Sequence, residues 1–158
     1  MFIVKERPLS MSPSINEQIV LITGAGGRLG RAFSKSIVAS GGNVFLVDID
    51  EEKGEQLVIE LGNKKAIFYQ ADISMAGGIE QSIQACVAQF GKVDTVVHAA
   101  YPRSAGWGAT LENLKPEHLF EDLNKQLGGA IILSQQVLHY FQQQGGGHLI
   151  HILRYRES

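Results

Sequence analysis

The sequence predicts an α/β domain built on a doubly wound, open parallel sheet of five strands. Three observations predict it. Short apolar runs alternate with longer runs whose apolar residues recur every three or four positions. The first strand-to-helix turn, TGAGGRLG, is rich in glycine. The stretch 93–100 is almost continuously apolar, as a strand covered on both sheet faces must be. The 158 residues fit one domain, able to bury roughly two-thirds of its unfolded surface.

Each element has its own signal. Val20-Leu21-Ile22 is a buried-strand run that TGAGGRLG ends. Leu29, Phe33 and Ile37 recur every four residues and mark the first helix, which Gly41-Gly42 stops. VFLVDID, residues 44–50, is the second strand. Leu57, Val58 and Leu61 mark a second helix that begins in acidic residues, as the helix dipole favours. Residues 66–69 make a third strand, and Ile79, Ile83, Cys86, Val87 and Phe90 outline a third helix. The fourth strand spans 93–100 and a loop spans 101–115. Pro116 suits the first turn of a helix, and Leu123, Leu127, Ile131, Leu138 and Phe141 carry one helix on to Gln144. Gly145-Gly146-Gly147 ends it and leads into the last strand, HLIHIL.

Right-handed crossovers leave few topologies for this alternation, and the order 3-2-1-4-5 of a Rossmann-type sheet is the natural one. The expected division is a flexible arm over 1–17, a nucleotide-binding domain over 18–153, and a short tail over 154–158. In such a fold the glycine turn admits a pyrophosphate to the helix N-terminus, where free N–H groups point outward. Asp48 closes the second strand, 24 residues after Gly24. An acid there accepts hydrogen bonds from the adenosine ribose and repels a 2′-phosphate, so NAD is expected over NADP. Capping the following helix is the alternative for Asp48, a role Asp50 fills better. Arg28 and Arg31 are candidates to meet a phosphate, or plain solvent-facing residues of the first helix. Another adenosine ligand, S-adenosylmethionine, is compatible with Asp48 and Asp72, but the turn suits a pyrophosphate better.

Taken together these residues resemble the short-chain dehydrogenase/reductase family over 18–152. TGAGGRLG is similar to its TGxxxGxG turn, with Arg28 where the second-last glycine usually stands. Asp72-Ile73 matches the acidic-aliphatic pair that contacts adenine, and HAAY at 98–101 stands where the family writes NNAG, keeping only Ala100. LGGAIILSQQV resembles the family's interface helix, with Gln126 or Asn124 near its catalytic asparagine, and GGGHLIHI resembles the start of strand five. The resemblance implies a nicotinamide dinucleotide held by Gly24, Gly26, Gly27, Arg28, Leu29, Gly30, Asp48, Ile49, Asp72, Ile73, His98, Ala99 and Ala100. It implies hydride transfer between nicotinamide and an alcohol or ketone.

That chemistry needs a tyrosine whose pKa a lysine four residues on depresses, because a phenol of pKa about 10 is a poor base at neutral pH. Four residues beyond Tyr69, Tyr101 and Tyr140 stand Ile73, Ala105 and Gln144, and Tyr155 has no such neighbour. Arg154 falls at the catalytic-serine position. A truncated oxidoreductase, inactive alone, is therefore expected, the alternative being a non-catalytic NAD-binding or regulatory module. Homo-oligomerisation is expected through the 116–144 helix and the strand-five edge. Trp107 and Pro102 are the only hints of substrate.

Other classes are disfavoured. A net charge of −2 gives no footprint for nucleic acid or an anionic membrane. No apolar run reaches the roughly 18 residues of a membrane span, and the start lacks the layout of a signal peptide. Met11 is a second candidate start. The single Cys86 forms no internal disulfide and is expected as a buried thiol, with the cytoplasm as location. His148 and His151 are three apart on a strand and face opposite sides, and His98 stands alone, so no metal site is expected.

Overall fold

The computed structural model describes residues 14–62, 64–75 and 77–152. Its strands are β1 (Ile19–Thr23), β2 (Asn43–Asp48), β3 (Ala66–Gln70), β4 (Thr95–His98) and β5 (His148–His151). Its helices are α1 (Arg28–Ala39), α2 (Glu51–Leu61), α3 (Gly78–Phe90), α4 (Pro116–Leu123) and α5 (Gly129–Gln144). The strands are all parallel, in the order β3-β2-β1-β4-β5, so the chain reverses direction across the sheet between β1 and β4.

Period-two alternation along β1 divides the core between the sheet faces. Leu21, Phe45 and Val96 meet Ile83 and Cys86 of α3 and Leu133, Val137 and Phe141 of α5. Val20, Ile22 and Leu46 meet Ile37 of α1 and Leu57 of α2 on the opposite face. Burial pushes the Cys86 thiol up to about 12, with the nearby Asp94 charge adding to it, so it is a core residue and not a nucleophile.

Two parts of the sequence reading need correction. The single helix expected over 116–144 is two helices joined by a π turn, Asn124–Gly128. The expected apolar positions keep to one face on both sides of the turn, and of them Phe141 alone reaches the core. Leu123, Leu127, Ile131 and Leu138 are half-exposed, while Leu133, Val137 and Phe141 are buried. Leu29 is likewise 48% exposed, because it opens α1 beside the glycine turn and lies above the core.

Of the arm expected over 1–17, residues 14–17 are described. The Glu17 N–H donates to the Gly41 carbonyl at 3.1 Å, and Gln18 donates to Ile15 at 3.1 Å, tying these residues to the α1–β2 turn. Residues 1–13 and the tail 154–158, with Arg154, lie outside the described residues.

Candidate functional site

A cleft of about 1210 Å³ opens at the carboxyl ends of the strands, where the sheet order reverses. The glycine turn forms its floor. Gly24 has a φ of +68°, and a Cβ there would stand 2.6 Å from the Ala100 nitrogen. The turn thus lies directly on the chain leaving β4, a closeness only glycine allows. A Cβ on Gly30 would stand 2.2 Å from the Gly24 carbonyl oxygen, which fixes α1 against the turn. Gly27 caps α1 with no side-chain hydrogen bond and no acid occupies the first turn, so the N-terminal amides remain available to an anion.

Asp48 and Asp50 divide two roles that sequence alone left open. Asp50 caps α2, accepting from the Lys53 N–H at 3.1 Å. Asp48 accepts from the Gly26 N–H at 2.8 Å and from the Asp50 N–H at 3.0 Å, one bond to each carboxylate oxygen. It therefore clamps the glycine turn to the end of β2, and each oxygen keeps a second lone pair for a ligand hydroxyl. Asp72 accepts from Ser74 through both its N–H at 2.9 Å and its hydroxyl at 2.6 Å. Arg31 is drawn away from the cleft by its ion pair with Glu60 at 2.7 Å, whereas Arg28 lines the cleft wall.

All the residues expected to hold the dinucleotide line this cleft except His98. His98 is buried beneath it, its Nδ1 within 2.8 Å of the Thr23 hydroxyl. It is not alone, as the sequence reading had it: the His151 ring meets it edge-on at 5.3 Å. Burial, and secondly the His151 charge, pushes the His98 imidazole down to about 4, so it is neutral at pH 7. The Ser134 hydroxyl donates to the Ala130 carbonyl at 2.7 Å and so accepts a hydrogen bond from the His151 Nε2–H at 2.9 Å. A polar string thus runs under the ends of β1, β4 and β5. Among the described residues no three metal-ligating side chains converge.

The wall opposite Asp48 was not legible from motifs. The loop after β4 is pinned twice: Gln126 Nε2 donates to the Pro102 carbonyl at 2.9 Å, and Asp122 accepts from the Ser104 N–H at 2.6 Å and hydroxyl at 3.0 Å. Asp122 and Gln126 are four apart and so share one helical face, the one signal in the sequence that pointed there. Asn124 lies in the π turn between them. Tyr101, Arg103, Lys53 and Lys125 also line the cleft.

Comparison with known proteins decides what this arrangement is. The short chain dehydrogenase family profile matches residues 18–153. The chain belongs to the short-chain dehydrogenase family. Among curated relatives of this dehydrogenase chain, post-translational flagellin modification protein A of Campylobacter coli is 30% identical over 142 residues, covering 87% of this chain and 56% of that protein. The 7alpha-hydroxysteroid dehydrogenase of Bacteroides fragilis is 27% identical, covering 85% of this chain and 53% of that one. The 3-ketoacyl-(acyl-carrier-protein) reductase of Brucella melitensis, solved with NADH, superposes with a TM-score of 0.73 at 27% identity, covering 84% and 53%. The fold matches an NAD+-bound xylitol dehydrogenase with a TM-score of 0.78 at 23% identity, covering 87% and 53%. The chain spans about half the length of the curated relatives it matches. No helix among the described residues is long and apolar enough to cross a membrane.

The cleft of this short-chain dehydrogenase fits its family's nicotinamide cofactor on its own geometry. Gly24 and Gly30 let the turn close against the chain leaving β4 and against α1, the first α1 amides carry no side-chain cap, and Asp48 holds a fixed carboxylate at the end of β2. When bound, the cofactor supplies or accepts a hydride.

Proposed function

We infer that this chain binds NAD, in preference to NADP, as the nucleotide-holding part of an oxidoreductase acting on an alcohol or ketone. The observation that carries the reading is the Asp48 carboxylate, held by Gly26 and Asp50 where an adenosine ribose would lie. A 2′-phosphate there would meet that charge at close range. The 158 residues contain no tyrosine followed four positions later by lysine, and in this reading their part is to hold the nucleotide. Calorimetric titration is expected to show saturable NAD+ binding at least about tenfold tighter than NADP+, a difference of roughly 1.4 kcal/mol. Equal affinities would remove the NAD preference. Absence of both, with a native circular dichroism spectrum, would remove the reading.

The chain also self-associates in this reading. Phe120, Leu123, Leu127 and Ile131 form a half-exposed to exposed apolar stripe along α4, the π turn and α5, and β5 has a strand on one side only among the described residues. Sedimentation is expected to show dimers or larger species. Leu127→Glu with Ile131→Glu is expected to shift the protein to monomer with unchanged secondary structure, and a monomeric wild type would refute the association.

A further inference from the structure

We propose that Arg103, supported by Tyr101 and Trp107, receives an oxyanion group of the substrate, a carboxylate or a phosphoryl, beside the nicotinamide. This rests on the reading that the cleft holds NAD.

Strand order gives the direction. Asp48 and Asp72 follow β2 and β3, whereas Tyr101 to Arg103 follow β4, across the glycine turn that ends β1. A dinucleotide whose pyrophosphate lies on that turn and whose adenosine lies by Asp48 carries its nicotinamide on the β4 side. Arg103 therefore borders the reacting half of the cleft.

Charge bookkeeping singles out Arg103 among the cations of the cleft wall. Lys53 pairs with Asp50, Lys125 pairs with Glu121 at 2.7 Å, and Arg28 stands on the glycine turn itself. Among the described residues Arg103 pairs with no carboxylate. Its guanidinium instead lies 5.8 Å from the ring centres of both Tyr101 and Trp107, which meet edge to face at 5.2 Å. Aromatic support restrains an arginine without using up its in-plane N–H donors, which match a planar or tetrahedral oxyanion two at a time.

The backbone around Arg103 is held on both sides, at Pro102 by Gln126 and at Ser104 by Asp122. Both anchors belong to the segment spanning α4 and the π turn, so the loop presents the guanidinium from a fixed base. Ordering lost on binding is correspondingly small. An exposed arginine paired with no carboxylate among the described residues, on a doubly pinned loop lining a cleft, suits recognition of a substrate anion.

Trp107 is the only tryptophan, so its fluorescence reports on this group directly. The full chain is first saturated with NAD+, then titrated with malonate and, separately, with inorganic phosphate at constant ionic strength. A saturable change with at least one anion is expected, malonate alone indicating a carboxylate and phosphate alone a phosphoryl group. Arg103→Gln is expected to weaken it at least about tenfold, with NAD+ affinity within about twofold of wild type, and Arg103→Lys to restore part of it. NAD+ binding with no response to either anion overturns the proposal and leaves the NAD reading standing. Loss of NAD+ affinity in Arg103→Gln as large as the loss of anion affinity also overturns it, since Arg103 would then serve the cofactor. Failure of the wild type to bind NAD+ removes the earlier reading and this inference with it.

Discussion

Gly30→Ala is expected to cost this domain about 2–3 kcal/mol and to abolish dinucleotide binding, although alanine is the better helix former. Gly30 lies in the first turn of α1, where alanine alone would gain about 1 kcal/mol over glycine. A Cβ there would stand 2.2 Å from the Gly24 oxygen and 2.7 Å from the Ala25 Cα. Both obstacles are backbone, so no side chain can swing aside. Either α1 moves off the turn or the turn opens, and overpacking of this kind costs about 1–3 kcal/mol or more. The turn also touches Ala100 through Gly24 and Asp48 through Gly26, so a displacement at Gly30 spreads to both walls of the cleft. Gly129→Ala provides the control. Gly129 is also helical, at the start of α5, and a Cβ there meets nothing within 4 Å beyond its own helix. It is expected to leave stability unchanged or raise it by up to about 1 kcal/mol. Thermal unfolding checks the pair, with a fall of roughly 5–10 °C expected for Gly30→Ala. Equal behaviour of the two variants would show that helix propensity, and not closure of the turn, governs Gly30.

The same contrast explains how much of this protein was legible beforehand. Strands β1, β2 and β4 announced themselves because a strand covered on both faces is apolar at nearly every position, whatever its neighbours. Their order followed from crossover handedness, which requires no knowledge of side chains. The glycine turn and Asp48 were legible as well, since their backbone constraints are local. What escaped was non-local or unmarked in the spacing. The π turn at Asn124–Gly128 interrupts the expected single helix, yet the apolar positions on either side of it keep to one stripe, so their spacing records no break. The pins from Asp122 to Ser104 and from Gln126 to Pro102 join residues 18 and 24 positions apart, across a loop with no periodic pattern. Asp48 was read as a ligand residue, yet it also holds Gly26, because a hydrogen bond spanning 22 positions leaves no mark on either residue. His98 looked solitary because parallel pairing, which sets it opposite His151, appears only once β4 and β5 are in register.

That histidine pair carries the second large effect. Between pH 6.5 and about 4 the domain is expected to lose about 3 kcal/mol of stability that His98 alone accounts for. Its imidazole is held near 4 in the folded protein, chiefly by burial and secondarily by His151, against an unfolded value of 6.5. Over that window the unfolded chain binds a proton that the folded protein refuses, so stability rises with pH. The contribution is full above pH 6.5, falls as pH drops through the window, and is gone below about 4. A gap of this size corresponds to about 3 kcal/mol at 1.36 kcal/mol per unit. The charged form has little to compensate it: His98 is 8% exposed, Nδ1 already meets the Thr23 hydroxyl, and the flanking ring is itself a histidine. His98→Asn keeps a hydrogen-bonding group beside Thr23 and removes the titration. Denaturant unfolding at pH 7.5, 6, 5 and 4.5 is therefore expected to give a shallower loss for the variant than for the wild type. Parallel curves would show that His98 is protonated in the folded state at little cost, through movement of β5 away from β4. Because Ala99 and Ala100 follow His98 directly into the cleft wall, dinucleotide affinity is expected to weaken over the same interval in the wild type. In His98→Asn it is expected to hold more nearly constant.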